Sequence, residues 1–94
     1  MFEYIWLLVF ESQLRALHDV NAAAQPVAAL QPFYDQAVAM NPHLVNYPFT
    51  SWLGFLQSWL LIREDNGMIS ITIRGREFLK YLVESGKSGQ HRFN

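Results

Sequence analysis

Four stretches of this chain carry apolar residues at helical spacing, and one carries them at strand spacing. Phe2 to Val20 has neither Pro nor Gly, and Trp6, Phe10, Leu14 and Leu17 fall on one face at steps of four and three. It reads as a single first helix. Its opening, Tyr4 through Phe10, is apolar all the way round, a pattern that needs burial on every side. A small domain covers one or two faces of such a helix. The remainder predicts either a partner chain or packing against the last helix. After a connection at Asn21–Gln25, Val27, Leu30, Phe33, Tyr34, Ala37 and Val38 keep helical spacing, but Pro32 interrupts them. A proline inside a helix lacks a backbone donor and clashes with the preceding turn. The pattern therefore predicts a short turn at 26–30 and a second helix over about 32–40, with Pro32 in its first turn.

Asn41 to Pro48, with two prolines and two asparagines, reads as a loop. A third helix is expected over Phe49–Ile62, started by Thr50 or Ser51 as N-cap. Trp52, Phe55, Leu56, Trp59 and Leu60 form its apolar stripe, with Thr50, Ser51, Gly54, Gln57 and Ser58 mostly opposite. The period then changes from helical to alternating. Asn66-Gly67 is a tight-turn signal, because both residues tolerate positive φ. Ile69, Ile71 and Ile73 alternate with Ser70 and Thr72, as in a strand with one buried face. Thr72 is placed to cap a fourth helix whose inner face is Phe78, Leu79, Leu82 and Val83, and Gly86 is placed to stop it. Gly75 predicts a close backbone approach.

An apolar helix end at Leu60-Leu61-Ile62, a polar hairpin, and then Ile71-Thr72-x-x-Gly75-Arg76-x-Phe78-Leu79 resembles the wing and last helix of winged helix-turn-helix domains. The upstream order is similar too: a long first helix, a short second one and a third after a turn. The resemblance covers most of residues 26–85. It implies a mostly α fold with a small two-stranded β-hairpin, in winged-helix architecture. Many such domains bind DNA with the third helix in the major groove; others bind protein or dimerise. The matching exposed positions here, Thr50, Ser51, Gly54, Gln57 and Ser58, carry no positive charge, and the hairpin tip Arg63-Glu64-Asp65-Asn66 is acidic on balance. Arg74, Arg76 and Lys80 are the cations best placed to meet phosphate, and Thr50, Ser51 and Gln57 the side chains placed to read bases.

Composition narrows the function classes. The chain has no cysteine, which excludes disulfides, thiolate metal sites and cysteine nucleophiles and fits a reducing compartment. Net charge is −1, too little for a field that draws the whole chain to nucleic acid or an anionic membrane. Charge is uneven, however: residues 63–94 hold six bases and four acids, while residues 1–62 hold one base and four acids. The apolar start is too short to span a bilayer and lacks the basic opening of a signal peptide. His18-Asp19 lie about 100° apart on a helix and share no proton geometry. His18, His43 and His91 match no metal-ligand spacing, and Glu64-Asp65-Asn66 is a turn rather than a calcium loop.

The expectation is a cytoplasmic, non-enzymatic domain over residues 1–85 with a flexible tail over 86–94. It needs no cofactor, metal or small-molecule substrate and does not insert in a membrane. Two function classes follow. One is a regulatory protein-interaction or homodimerisation module, with Phe2, Tyr4, Trp6, Val9 and Phe10 at the interface. The other is a DNA-binding transcriptional regulator contacting nucleic acid through Thr50, Ser51, Gln57, Arg74, Arg76 and Lys80.

Overall fold

A computed structural model of the chain describes residues 2–87. Among these residues the order is α1 (Phe2–Leu8), α2 (Glu11–Ala22), β1 (Gln25–Pro26), a 3-10 turn (Val27–Leu30), α3 (Gln31–Met40), a second 3-10 turn (Pro42–Asn46), α4 (Phe49–Ser58), β2 (Ile62–Asp65), β3 (Met68–Ile71) and α5 (Ile73–Glu84). The protein is mostly helical, with a small antiparallel sheet in the order β1-β3-β2. Beyond Lys87, the tail expected from the sequence lies outside the described residues.

The first helix is two helices. Phe10 is extended, at φ −82° and ψ 154°. The cause is a side chain three residues on: Gln13 Oε1 accepts the Phe10 N–H at 2.8 Å, and Gln13 Nε2 donates to the Trp52 carbonyl at 2.8 Å. A side chain that captures a backbone donor competes with helix continuation. Trp52 Nε1 completes the cluster by donating to Ser12 Oγ at 3.0 Å. Ser12 and Gln13 are fully buried, so this polar group fastens the start of α2 to α4. Burial is tolerable there because the polar atoms are paired.

The turn at Val27–Leu30 and the placement of Pro32 in the first turn of α3 match the pattern. Tyr34 holds the loop that follows, its hydroxyl lying 3.3 Å from the Leu44 carbonyl and 2.9 Å from that of Tyr47. The third strand was not anticipated. Gln25 pairs with Ile69 and Pro26 with Met68, and the Val27 N–H donates to the Gly67 carbonyl at 3.0 Å. Pro26 suggests a helix start, yet an edge strand also accommodates a proline.

The helix expected over Phe49–Ile62 ends at Ser58, and its cap position is Pro48 rather than Thr50 or Ser51. Leu60 turns the chain with φ +62°. The Leu60 N–H bonds to the Gln57 carbonyl and the Leu61 N–H to that of Leu56, the paired hydrogen bonds that close a helix through a left-handed residue. Glycine usually holds that place; a leucine there costs about 1–2 kcal/mol. Ile62 then pairs with Ile71, and Asn66 and Gly67 make the turn at φ 53° and 80°.

Thr72 caps α5: its hydroxyl accepts the Gly75 N–H at 2.9 Å and donates toward the Leu60 and Leu61 carbonyls. A Cβ on Gly75 would run into the Leu61 carbonyl oxygen and sit 2.7 Å from Ile71 Cγ1. Phe78, Leu79 and Leu82 are buried as expected, but Val83 and Ile73 face outward, 63% and 77% exposed. The strand alternation stops at Ile71, so Ile73 follows the helix instead. Gly86, at φ +76°, closes α5 with the Gly86 and Lys87 N–H groups on the carbonyls of Val83 and Leu82. Trp52, Phe78, Ile5, Leu17, Leu30 and Leu56 are among the largest side chains sealed in the core between helices and sheet.

Candidate interaction surfaces

The five expected interface residues of the first helix divide three ways. Trp6 and Val9 are buried in the chain's own core and are not available to a partner. Phe2 and Phe10 are half-buried. Phe2 lies against Phe78 and Tyr81 of α5, with ring centroids 5.5 and 5.6 Å away, and Phe10 meets Tyr47 edge-on at 5.6 Å. Tyr4 faces outward, 56% exposed, with one edge against Trp59 at 5.7 Å.

Glu3 is exposed on the same helix, and Leu7 and Leu8, not singled out from the sequence, are the other exposed large apolar side chains of α1. Spacings of three and four put them on the Tyr4 side of the helix. Tyr4 joins this ridge to half-buried Trp59, just past the end of α4, and Trp59 to half-buried Phe55 on α4. The all-round apolar pattern carried the signal that some face of α1 stays uncovered. Which face depends on where α4 and α5 pack, and that is a tertiary fact.

The six candidate nucleic-acid contacts do not converge. Thr50 and Ser51 are exposed at the start of α4, and Gln57 is half-buried near its end. Arg74 meets the same helix only past its far end, where its Nε donates to the Trp59 carbonyl at 2.8 Å. About 13 Å of helix separates the two places. The Arg74 guanidinium also sits 5.4 Å above the Phe2 ring, so it pins α1 and α4 to α5. Arg76 and Lys80 are exposed on α5, and Arg63 is exposed on β2. Among the described residues none of these three has a carboxylate within ion-pairing distance.

Two surface hollows accompany these residues. One, of about 410 Å³, lies between Phe2, Glu3, Arg74 and Tyr81. Lys87 stands beside it, 4.0 Å from the Glu3 carboxylate and 5.6 Å from the Tyr81 ring centroid. The other is a notch of about 450 Å³ where the base of the hairpin meets α5, lined by Leu60, Arg63, Ile71, Thr72, Ile73, Arg74 and Arg76. In sequence Arg63 belongs to an acidic hairpin tip; the hairpin brings it back toward Arg74 and Arg76.

Among the described residues no group of three or more acidic or histidine side chains is placed to hold a metal ion, and no helix is long and apolar enough to cross a membrane. His91 lies outside the described residues. Tyr47 has its pKa raised by burial, and its hydroxyl donates to the Ser51 carbonyl at 3.1 Å. In comparisons with known proteins, no family model matches the chain, and neither does a curated protein or a solved structure.

Proposed function

We propose that the chain is a non-enzymatic interaction module of winged-helix architecture, with a regulatory role, that associates through α1 with a protein partner, in the first instance a second copy of itself. The scaffold reading is supported by the element order after α2: a short strand, two helices, a hairpin whose returning strand lies beside that first strand, and a closing helix. The observation that carries the interaction reading is the uncovered ridge of Tyr4, Leu7 and Leu8. Contiguous apolar surface of this kind, continued by aromatic rings, marks protein contact sites, and Tyr and Trp are frequent anchors there. A two-fold contact needs only one self-complementary patch.

Concentration-dependent NMR spectra test this. Resonances of Tyr4, Leu7, Leu8 and the Trp59 indole move as the protein is concentrated, while those of the hairpin tip stay still. Spectra that do not change with concentration would speak against self-association.

A DNA-binding reading has one observation in its favour: Arg76 and Lys80 are exposed cations on one side of α5. Against it stand the uncharged exposed positions of α4 and the exposed Glu64-Asp65 tip. Phosphate contacts supply most non-specific affinity, so random duplex at low salt is the test. Absence of binding there removes this reading.

A further inference from the structure

Leu60 is held in a backbone conformation that leucine disfavours, and its side chain is 65% exposed. Neither fact helps the fold. The helix closure at that place suits glycine, and an exposed leucine contributes little burial. Strain kept by a surrounding network, here the Thr72 hydroxyl on the Leu60 and Leu61 carbonyls, points from conformation toward use. Leu60 stands at the rim of the notch between hairpin and α5, beside exposed Ile73 and among Arg63, Arg74 and Arg76. Arg74 is engaged with Trp59 and Phe2. Arg63 and Arg76 have no carboxylate within ion-pairing distance among the described residues, so their guanidinium groups can take a carboxylate by two parallel hydrogen bonds.

We infer that this notch docks an acidic, amphipathic segment of a partner protein, its carboxylates on Arg63 and Arg76 and an apolar side chain against Leu60 and Ile73. The inference goes beyond association through α1, since it uses a surface other than the α1 ridge. Charge complementarity selects an acidic occupant, and the apolar lining selects a peptide over nucleic acid. A duplex brings a continuous line of phosphates and no flexible aliphatic side chain to fill the space between arginines. Glu64 and Asp65 follow Arg63 directly on the hairpin and repel a long anionic strand more than a short one.

The test is a titration of the full chain with three labelled probes, read by fluorescence anisotropy. The first is a synthetic peptide of Glu and Asp with two interior Leu residues; the second replaces those Leu with Ser; the third is a short random DNA duplex. The inference expects saturable binding of the Leu peptide, roughly tenfold weaker binding of the Ser peptide, and a roughly tenfold loss with Arg63→Gln and Arg76→Gln together. Both arginines are exposed, so circular dichroism should show an unchanged fold. Leu60→Gly is the sharper variant: it should weaken the Leu peptide several-fold while the melting temperature stays level or rises. Equal binding of the Leu and Ser peptides overturns the inference, because charge alone then accounts for it. So does preference for the duplex, or no saturable peptide binding up to about 1 mM. Leu7→Glu separates the two surfaces: it should abolish self-association and leave peptide binding intact. Peptide binding lost in Leu7→Glu but kept in the arginine variant would put the site on α1 and overturn the notch, leaving the α1 reading standing.

Discussion

At the residue scale, Gly75 is the position where a single methyl group decides most. A Cβ there meets a backbone carbonyl, which cannot swing aside as a side chain does. Gly75→Ala should destabilise the fold by about 1–3 kcal/mol through overpacking at the junction of α4, β3 and α5, read as a lowered denaturant midpoint. An unchanged midpoint would show that the junction yields freely. Tyr47 gives a pH dependence. Burial raises its pKa above the ordinary value of 10.0, so the folded state favours the neutral phenol. Its contribution to stability is complete below pH 10 and fades as the pH climbs through the raised value. Tyr47→Phe should therefore flatten the fall of stability above pH 10; an identical alkaline profile for both proteins would remove Tyr47 as a cause. The sequence already pointed to Gly75, Thr72 and Asn66-Gly67, because each is dictated by a local geometry that few residues satisfy. Leu60 was not legible in that way. Its left-handed conformation comes from the helix end and the Thr72 cap together, and a leucine does not advertise it.

At the element scale, local patterns foretold the elements that local chemistry determines. The turn before α3, the position of Pro32, the hairpin and α5 with its glycine stop all follow from neighbours within a few residues. The break between α1 and α2 follows instead from Gln13 reaching both Phe10 and Trp52, one of them 39 residues away. The strand β1 exists because β3 lies beside it; two residues carry no periodicity of their own. The same holds for α1, whose packing depends on distant partners. Phe2 rests on α5, and Arg74 holds Phe2 and Trp59 at once. Arg74→Gln removes the cation over the ring, an interaction worth about 0.5–2 kcal/mol. It should lower hydrogen-exchange protection of α1 more than that of α2 or α3. Uniform loss across all helices would mean that α1 is not held as a separate unit. Of the expected interface, Tyr4 alone is both exposed and on the ridge. Leu7 and Leu8 face outward and Trp6 and Val9 inward; apolar character does not distinguish the two sides of a helix that is apolar throughout.

At the scale of the whole molecule, two exposed surfaces differ in charge. The uncharged ridge of Tyr4, Leu7 and Leu8 lies on α1, and the cations collect where the hairpin meets α5. In the proposed reading, the first makes a contact that excludes water and the second selects a partner by sign. Association through α1 is the proposed use of the ridge. Light scattering on the 10.9 kDa chain, at high micromolar concentration, measures it most directly. The expected mass is about twice one chain for the wild type and one chain for Leu7→Glu, because burying an uncompensated carboxylate in the contact costs more than the contact gains. A wild-type mass of a single chain at that concentration, unaltered by Leu7→Glu, would contradict it.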